Sequence, residues 1–437
     1  MFTIKLKHRS NESYWMLIFY CICVVGIYAF SIAPLFSYSF LTLNINYTKL
    51  AVSILILSVT IMMLPKDRDK PSTYLFYILY IIMFIPTLSF YWLNDQATQY
   101  IIYLFLCFAL IEYLIKKKKR GIRIHIPQGL RIFKLAFVIY CILNVTLFIR
   151  NGGINKNTLR LDLISANREN ELTGIWGYIL NWNAKAFCPM FFAFFFYKKK
   201  WFFVVLTFFL QAMLYLSFGF KAFLFSIVLL LLIAYIINNF HKQYFKILPL
   251  FLGMGIILCY MFDKLGISRT PLFTLPYRTL FIPAQGQFQY YDYFTQYDFL
   301  YFSEGIIGRI LGISYPYDLP IGMVVNKYIY GLQNMSNGNT GVFSYGYADM
   351  GLFGMLFSSF ILVVLFWIID GSTRKVPISI VVPAMAYQMI IMNDVNILIS
   401  INTGGILWTI MLLLVFNSVF SCDEKGFRSW IERKMFS

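Results

Sequence analysis

DKLGISRTPLFTLPYRTLFIPAQGQFQYYDYFTQYDFLYFSEGIIGRILGISYPYDLPIGMVVNKYIYGLQNMSNGNT, residues 263–340, interrupts a chain otherwise built of apolar runs. A helix needs about 20 consecutive apolar residues to cross a bilayer, and no such run survives in this stretch. The segment is therefore expected beside the membrane, with the runs on either side crossing it. Upstream lie runs at about 14–36, 47–64, 72–92, 99–115, 130–149 and 175–197, then 201–240 and 247–262. Residues 201–240 are too long for one crossing at about 1.5 Å per helical residue, so they read as two, with Ser217-Phe218-Gly219-Phe220-Lys221 as the turn. Downstream, runs at about 342–369, 376–392 and 397–420 complete the set. The expected fold class is an all-α polytopic membrane protein of about 12 transmembrane helices.

Composition agrees. The 437 residues are 59% hydrophobic and 13% charged, where an ordinary globular domain has about 25% charged residues. A net charge of +18 would suggest a nucleic-acid partner in a soluble protein, but here the basic residues sit in short membrane-flanking clusters. Lys66 to Lys70, Lys116 to Arg120 with Arg123, Lys198-Lys199-Lys200, His241-Lys242 with Lys246, and Arg374-Lys375 alternate with less basic connections. By the positive-inside bias these clusters mark the cytoplasm, which places both termini there too. On that topology the cytoplasmic side holds 25 Lys/Arg against 8 Asp/Glu, and the outer side 12 against 11. No nucleic-acid binding is expected.

The layout follows: residues 1–262 hold spans 1–9 with a shorter outer loop at 150–175; 263–340 form a large periplasmic loop with interfacial helices; 341–420 hold spans 10–12; 421–437 are a cytoplasmic tail. The first run follows Lys5, Lys7 and Arg9 but is long and lacks a small-residue cleavage site, so it reads as a retained helix. The seven cysteines lie in or beside apolar runs, which argues against a disulfide framework. His8, His125 and His241 all fall on the cytoplasmic side and show no zinc-ligand spacing, so neither a metal site nor an outer histidine base is expected.

Outer-face arginines are the informative residues, because the insertion bias disfavours them there. The shorter loop carries Arg150, Arg160 and Arg168, and the longer one Arg269, Arg278 and Arg309. A guanidinium is always charged and offers a planar fork that fits phosphate oxygens, so two such loops suit a pyrophosphate-linked lipid. The bland alternative is contact with ordinary headgroups, or pairing with Asp162, Glu169 and Glu171. In Tyr277 to Phe294, Arg278 precedes an Ile282-Pro283 break, after which Phe288, Tyr291 and Phe294 recur at helical spacing. An aromatic amphipathic helix in the membrane interface accounts for that pattern, and such rings also stack on sugars. Asp292, Asp298 and Glu304 share the neighbourhood as possible bases or as plain surface carboxylates. Further on, Asn334, Asn337, Asn339, Tyr345 and Tyr347 precede Asp349, an ionisable residue a turn or two into an apolar helix and so a functional candidate. Gly346, Gly351 and Gly354 would let another helix approach closely.

The layout of spans, with two arginine-bearing outer loops and the stretches RTLFIPAQGQFQYYDYF and NGNTGVFSYGYADMGLFG, resembles the O-antigen polymerases, Wzy, of the oligosaccharide repeat-unit polymerase type. The likeness covers the layout of most of the chain, with the motif part confined to about fifty residues. One pattern of some members is not reproduced: an Arg-x10-Gly spacing would need glycine where Glu171 follows Arg160 and Gln289 follows Arg278. The resemblance implies a multi-pass protein of the bacterial inner membrane that transfers a growing glycan from undecaprenyl pyrophosphate onto a new lipid-linked repeat unit at the periplasmic face. It implies undecaprenyl-pyrophosphate-linked glycans and the lipid bilayer as partners, with a chain-length regulator and a flippase as associates, and no cofactor. In that reading Arg278 and Arg160 stabilise the leaving pyrophosphate, and Asp292 or Asp349 serves as base. Arg168, Arg309, Arg150, Asn339, Tyr347 and Tyr291 would bind substrate. The alternatives are an O-antigen ligase, against which the lack of an outer histidine speaks, and a lipid-linked oligosaccharide flippase, against which the concentration of charge in outer loops speaks.

Overall fold

In the computed structural model, residues 12–117, 129–155, 158, 172, 174–331, 338 and 340–420 are described. Arg160, Arg168 and Asn339 lie outside them. Helices follow the apolar runs in order: α1 (Tyr14–Leu35), α2 (Tyr47–Met63), α3 (Pro71–Leu93), α4 (Thr98–Lys117), α5 (Gly129–Arg150), α6 (175–197), α7 (Trp201–Phe218), α8 (Lys221–Phe240) and α9 (Tyr244–Lys264). The segment after α9 folds into α10 (270–294), α11 (Ile306–Leu311) and α12 (Ile321–Tyr330). The chain then continues through α13 (Val342–Ser372), α14 (Ile378–Ile391), α15 (Ile397–Asn402) and α16 (Ile406–Val419). Among the described residues, eight helical stretches are long and apolar enough to span a bilayer, and no sheet forms beyond one isolated bridge between Asn44 and Asn94. The chain is an all-α, multi-pass membrane protein.

α3 is the central post. It is apolar all round and buried along its length, the mark of a helix enclosed by others rather than facing lipid or water on one side. α1, α2, α10, α13 and α14 pack around it.

Prolines shape the helices near this post. A proline inside a helix offers no N–H to the carbonyl four residues upstream, and its ring crowds that carbonyl. At four places the backbone widens into a π turn just before the proline: Tyr28–Ile32 before Pro34, Tyr80–Phe84 before Pro86, Asn183–Phe187 before Pro189, and Phe273–Phe281 before Pro283. Stranded carbonyls then find partners on other helices. Those of Ile82 and Thr279, four residues ahead of Pro86 and Pro283, both accept from Asn393 Nδ2, at 3.4 and 2.9 Å. The Lys185 carbonyl, four ahead of Pro189, accepts from Gln388 Nε2 at 3.1 Å, and the Phe245 carbonyl, four ahead of Pro249, from the Tyr77 hydroxyl at 2.8 Å. Replacing Asn393 by Leu would leave two buried carbonyls unmet, each costing about 1–3 kcal/mol. A fall in the melting temperature of the detergent-solubilised protein is the expected result, and an unchanged one would show that these carbonyls are satisfied otherwise.

Two features differ from the sequence reading. α10 is not one-faced over Ile282–Phe294. Residues on all its sides are buried, Pro283, Ala284, Gln285, Gln287 and Tyr290 as well as Phe288, Tyr291 and Phe294. Its polar residues are accommodated because distant partners meet them: Gln285 donates to the Ser39 carbonyl at 2.6 Å, and Gln287 to Thr87 Oγ1 at 2.9 Å. The segment is thus packed among the other helices, since Thr279 shares the Asn393 amide with Ile82, midway along α3.

α13 is also not one straight span. The backbone breaks at Met350 (φ −154°, ψ 32°) and Gly351 (φ 59°, ψ −139°), and the limb Val342–Asp349 folds back on the rest. In a continuous helix, residues eight apart stand about 12 Å apart. Here a Cβ on Gly354 would lie 1.9 Å from the Gly346 carbonyl oxygen. Gly351 supplies the left-handed conformation that the reversal requires.

Candidate functional site

The site is built on the turn between α14 and α15. Asn393 ties α3 to α10, as described, and the Met392 carbonyl accepts the Val342 N–H at 3.0 Å, docking the start of the α13 limb. Gly341 passes so close that a Cβ there would meet the carbonyls of Met392 and Asn393 at 3.0 and 3.1 Å. The next residue, Asp394, stands within the electrostatic reach of Arg278 on α10 and Lys185 on α6. Arg278 is exposed, with its guanidinium 6.0 Å from the Phe273 ring. Lys185 and Asp394 are half-buried. Burial pushes the Asp394 carboxyl up to about 7, against the pull of Arg278 and then Lys185.

Local sequence explains why the cations project here. Lys185 and Arg278 each lie in a π turn created by a following proline, where the helix is widened and its side chains are re-aimed. α6 is further held by Gln388, whose Nε2 reaches both the Lys185 carbonyl and Thr409 Oγ1 (2.5 Å), and by the Trp182 indole on the Asn402 carbonyl (2.9 Å). Gly405, with φ 83°, lets the α15–α16 turn approach so closely that a Cβ would sit 2.8 Å from that of Ala186. Asn183, in the same π turn as Lys185, is wholly buried, and among the described residues neither its Oδ1 nor its Nδ2 has a partner.

A second feature opens farther along α10. A cleft of about 390 Å³ is lined by Gln285, Gln289, Asp292 and Gln296 on one helix face, with Asn94 and Gln96 opposite and the rings of Phe40, Phe90 and Tyr328 at its sides. Amides, a carboxylate and aromatic faces are the groups that hold sugar hydroxyls and sugar rings.

The residues singled out in the sequence divide between these places. Arg278 stands within electrostatic reach of Asp394, and Asp292 lines the cleft. Tyr291 and Tyr347 meet, ring centroids 5.1 Å apart, beside Tyr100, and the Tyr291 hydroxyl donates to Gln99 Oε1 at 2.7 Å. Asp349 closes the short α13 limb instead of lying inside a span; it is buried, and its Oδ1 accepts the Phe302 N–H at 3.2 Å. Arg150 stacks its guanidinium on Trp176 at 4.7 Å, joining α5 to α6. Arg309 is exposed on α11, and Arg269 pairs with Asp263 at 2.8 Å. Arg160, Arg168 and Asn339 fall outside the described residues.

Sequence reasoning missed Lys185 and Asp394. The signal was present for Lys185, an ionisable residue ten positions into an apolar run. For Asp394 there was little, since an acidic residue in a short polar turn usually means only solvation.

No family model, curated protein or solved structure matches the chain. The chemistry of the site has to be argued from its own groups. Two cations acting on one carboxylate, with an amide-lined cleft farther along α10, are groups suited to an anionic leaving group and a hydroxyl compound.

Proposed function

We propose that this chain is an O-antigen polymerase of the Wzy type, a twelve-span protein of the bacterial inner membrane with both termini in the cytoplasm. It joins undecaprenyl-pyrophosphate-linked repeat units at the periplasmic face. One observation carries the reading: Arg278 and Lys185 both stand within electrostatic reach of Asp394, and farther along the helix that carries Arg278 lies a cleft lined by amides, a carboxylate and aromatic rings. In the proposed reaction the glycosyl pyrophosphate is itself the activated donor. Arg278 and Lys185 meet the negative charge that builds on the departing pyrophosphate, and groups fixed beforehand do so without reorganising. Gln285, Gln289 and Asp292 bind the acceptor sugar. Tyr291, Tyr347, Arg160, Arg168, Arg309, Arg150 and Asn339 are the further substrate-binding residues of this reading.

The transporter reading draws support from Lys185 and from Glu112, a wholly buried acid within α4, because charges inside helices often line a transport path. A lipopolysaccharide gel of the knockout strain separates the two. A polymerase defect leaves one repeat unit on the lipid A core, and a flippase defect leaves none.

A further inference from the structure

A side-chain amide offers both a donor and an acceptor, so what the cleft along α10 can hold depends on which end of each amide the protein has already used. Gln285, Gln289 and Asp292 recur at the i, i+4, i+7 spacing of one helix face, and all three line the cleft. Gln285 Nε2 donates to the Ser39 carbonyl at 2.6 Å. The Tyr330 hydroxyl donates to the same carbonyl at 3.4 Å, so its oxygen accepts from Gln289 Nε2 at 3.0 Å. Opposite, Asn94 Nδ2 donates to the Thr42 carbonyl at 2.5 Å, and Gln96 Nε2 to the main-chain and side-chain oxygens of Asn94 at 3.1 and 2.6 Å. Gln296 is used at both ends: its Nε2 donates to the Asp292 carbonyl at 3.2 Å, and its Oε1 accepts from the Tyr328 hydroxyl at 3.0 Å. A carbonyl only accepts, so these bonds fix which end of each amide is the nitrogen. Left over are Gln285 Oε1, Gln289 Oε1, Gln96 Oε1 and both carboxylate oxygens of Asp292, which meet no donor among the described residues. No lysine or arginine is among the described residues that line the cleft. It is a surface of acceptors with one negative charge.

We infer that the cleft takes an uncharged, hydroxyl-rich saccharide and turns acidic ones away, an inference that rests on the polymerase reading for the sugar's place as acceptor. Sugar hydroxyls supply the protons that the leftover oxygens lack. A hydroxyl on the Asp292 carboxylate makes the strongest of those bonds, because its acceptor is ionised. Phe40, Phe90 and Tyr328 add ring surface for the C–H side of a pyranose, and the volume of about 390 Å³ falls within the small-molecule range of about 300–1,000 Å³. A uronic acid or a phosphorylated sugar would set its own negative charge against Asp292 with no lining cation to offset it, and an unpaired repulsive charge is a way to exclude a competitor. By the same reasoning the pyrophosphate binds outside this cleft.

The probe is the repeat-unit oligosaccharide released by mild acid from the lipid of cells lacking this protein, paired with the same oligosaccharide after its primary hydroxyls are oxidised to carboxylates. Binding of each to the full-length protein in detergent is measured by calorimetry. The neutral form should bind, and the oxidised form about tenfold more weakly or worse. Asp292→Asn should weaken the neutral form by about tenfold or more and close the gap between the two, since the repelling charge is gone. Asp292→Lys should prefer the oxidised form. Asp292 is exposed, so both variants should fold. Equal binding of the two forms by the wild type would overturn the inference, as would a gap left intact in Asp292→Asn or no binding of the neutral form. Wild-type proteoliposomes supplied with lipid-linked repeat units test the polymerase reading separately. Polymer formed without the expected preference removes the inference alone, and the preference without polymer removes the polymerase reading, leaving a saccharide site with no acceptor role.

Discussion

Replacing Arg278 by Ala should abolish long chains while leaving single-unit capped lipid on the gel. Removing one donor fixed in advance toward a developing negative charge costs about 10²- to 10³-fold in rate, roughly 3–4 kcal/mol. The side chain is exposed, with its guanidinium over the Phe273 ring at 6.0 Å, so stability should change by no more than about 0.5 kcal/mol and protein should reach the membrane at its usual level. Arg278→Lys keeps the charge but loses the planar fork and should fall between the two. Arg269→Ala is the control, because that arginine is already occupied by Asp263. A normal ladder from the Arg278→Ala strain would remove this residue from the mechanism, and equal loss in both variants would make the effect one of general outer charge.

The second large effect should come from Gly354→Ala, and it concerns folding. The added methyl would stand 1.9 Å from the Gly346 carbonyl oxygen, a backbone atom that cannot swing aside. Overpacking usually costs about 1–3 kcal/mol, and a clash this deep against main chain belongs beyond that range, at about 4 kcal/mol or more. Little protein in the membrane is expected, and what remains should melt early. Gly255→Ala offers the contrast: nothing lies within 4 Å of its would-be Cβ in α9, so it should be neutral or slightly stabilising. If Gly354→Ala melts with the wild type, the two limbs of α13 do not lie against each other.

Much of the scaffold was legible because membrane insertion writes it in composition. Apolar runs at 72–92, 99–115 and 130–149 became Pro71–Leu93, Thr98–Lys117 and Gly129–Arg150 almost residue for residue. The reversal at Met350-Gly351 was hidden, since it sits inside an apolar run, and glycine in such a run reads as packing as readily as turning. The burial of α10 was hidden for a related reason: helical spacing of Phe288, Tyr291 and Phe294 marks one face, while Gln285 and Gln287 on other faces looked exposed until Ser39 and Thr87 were seen to meet them. At the site, Arg278 stood out because its type is disfavoured in the loops that the sequence reading places outside. Lys185 and Asp394 are more than two hundred residues apart in sequence, and no local pattern announces a pair of that kind.

The single amide of Asn393 serves carbonyls left bare by two different prolines, Pro86 and Pro283, and this ties three distant positions into one thermodynamic unit. Restoring an N–H at either proline would lessen what the amide has to supply, so the harm done by losing Asn393 depends on which prolines are present. Defects at these three places are therefore non-additive.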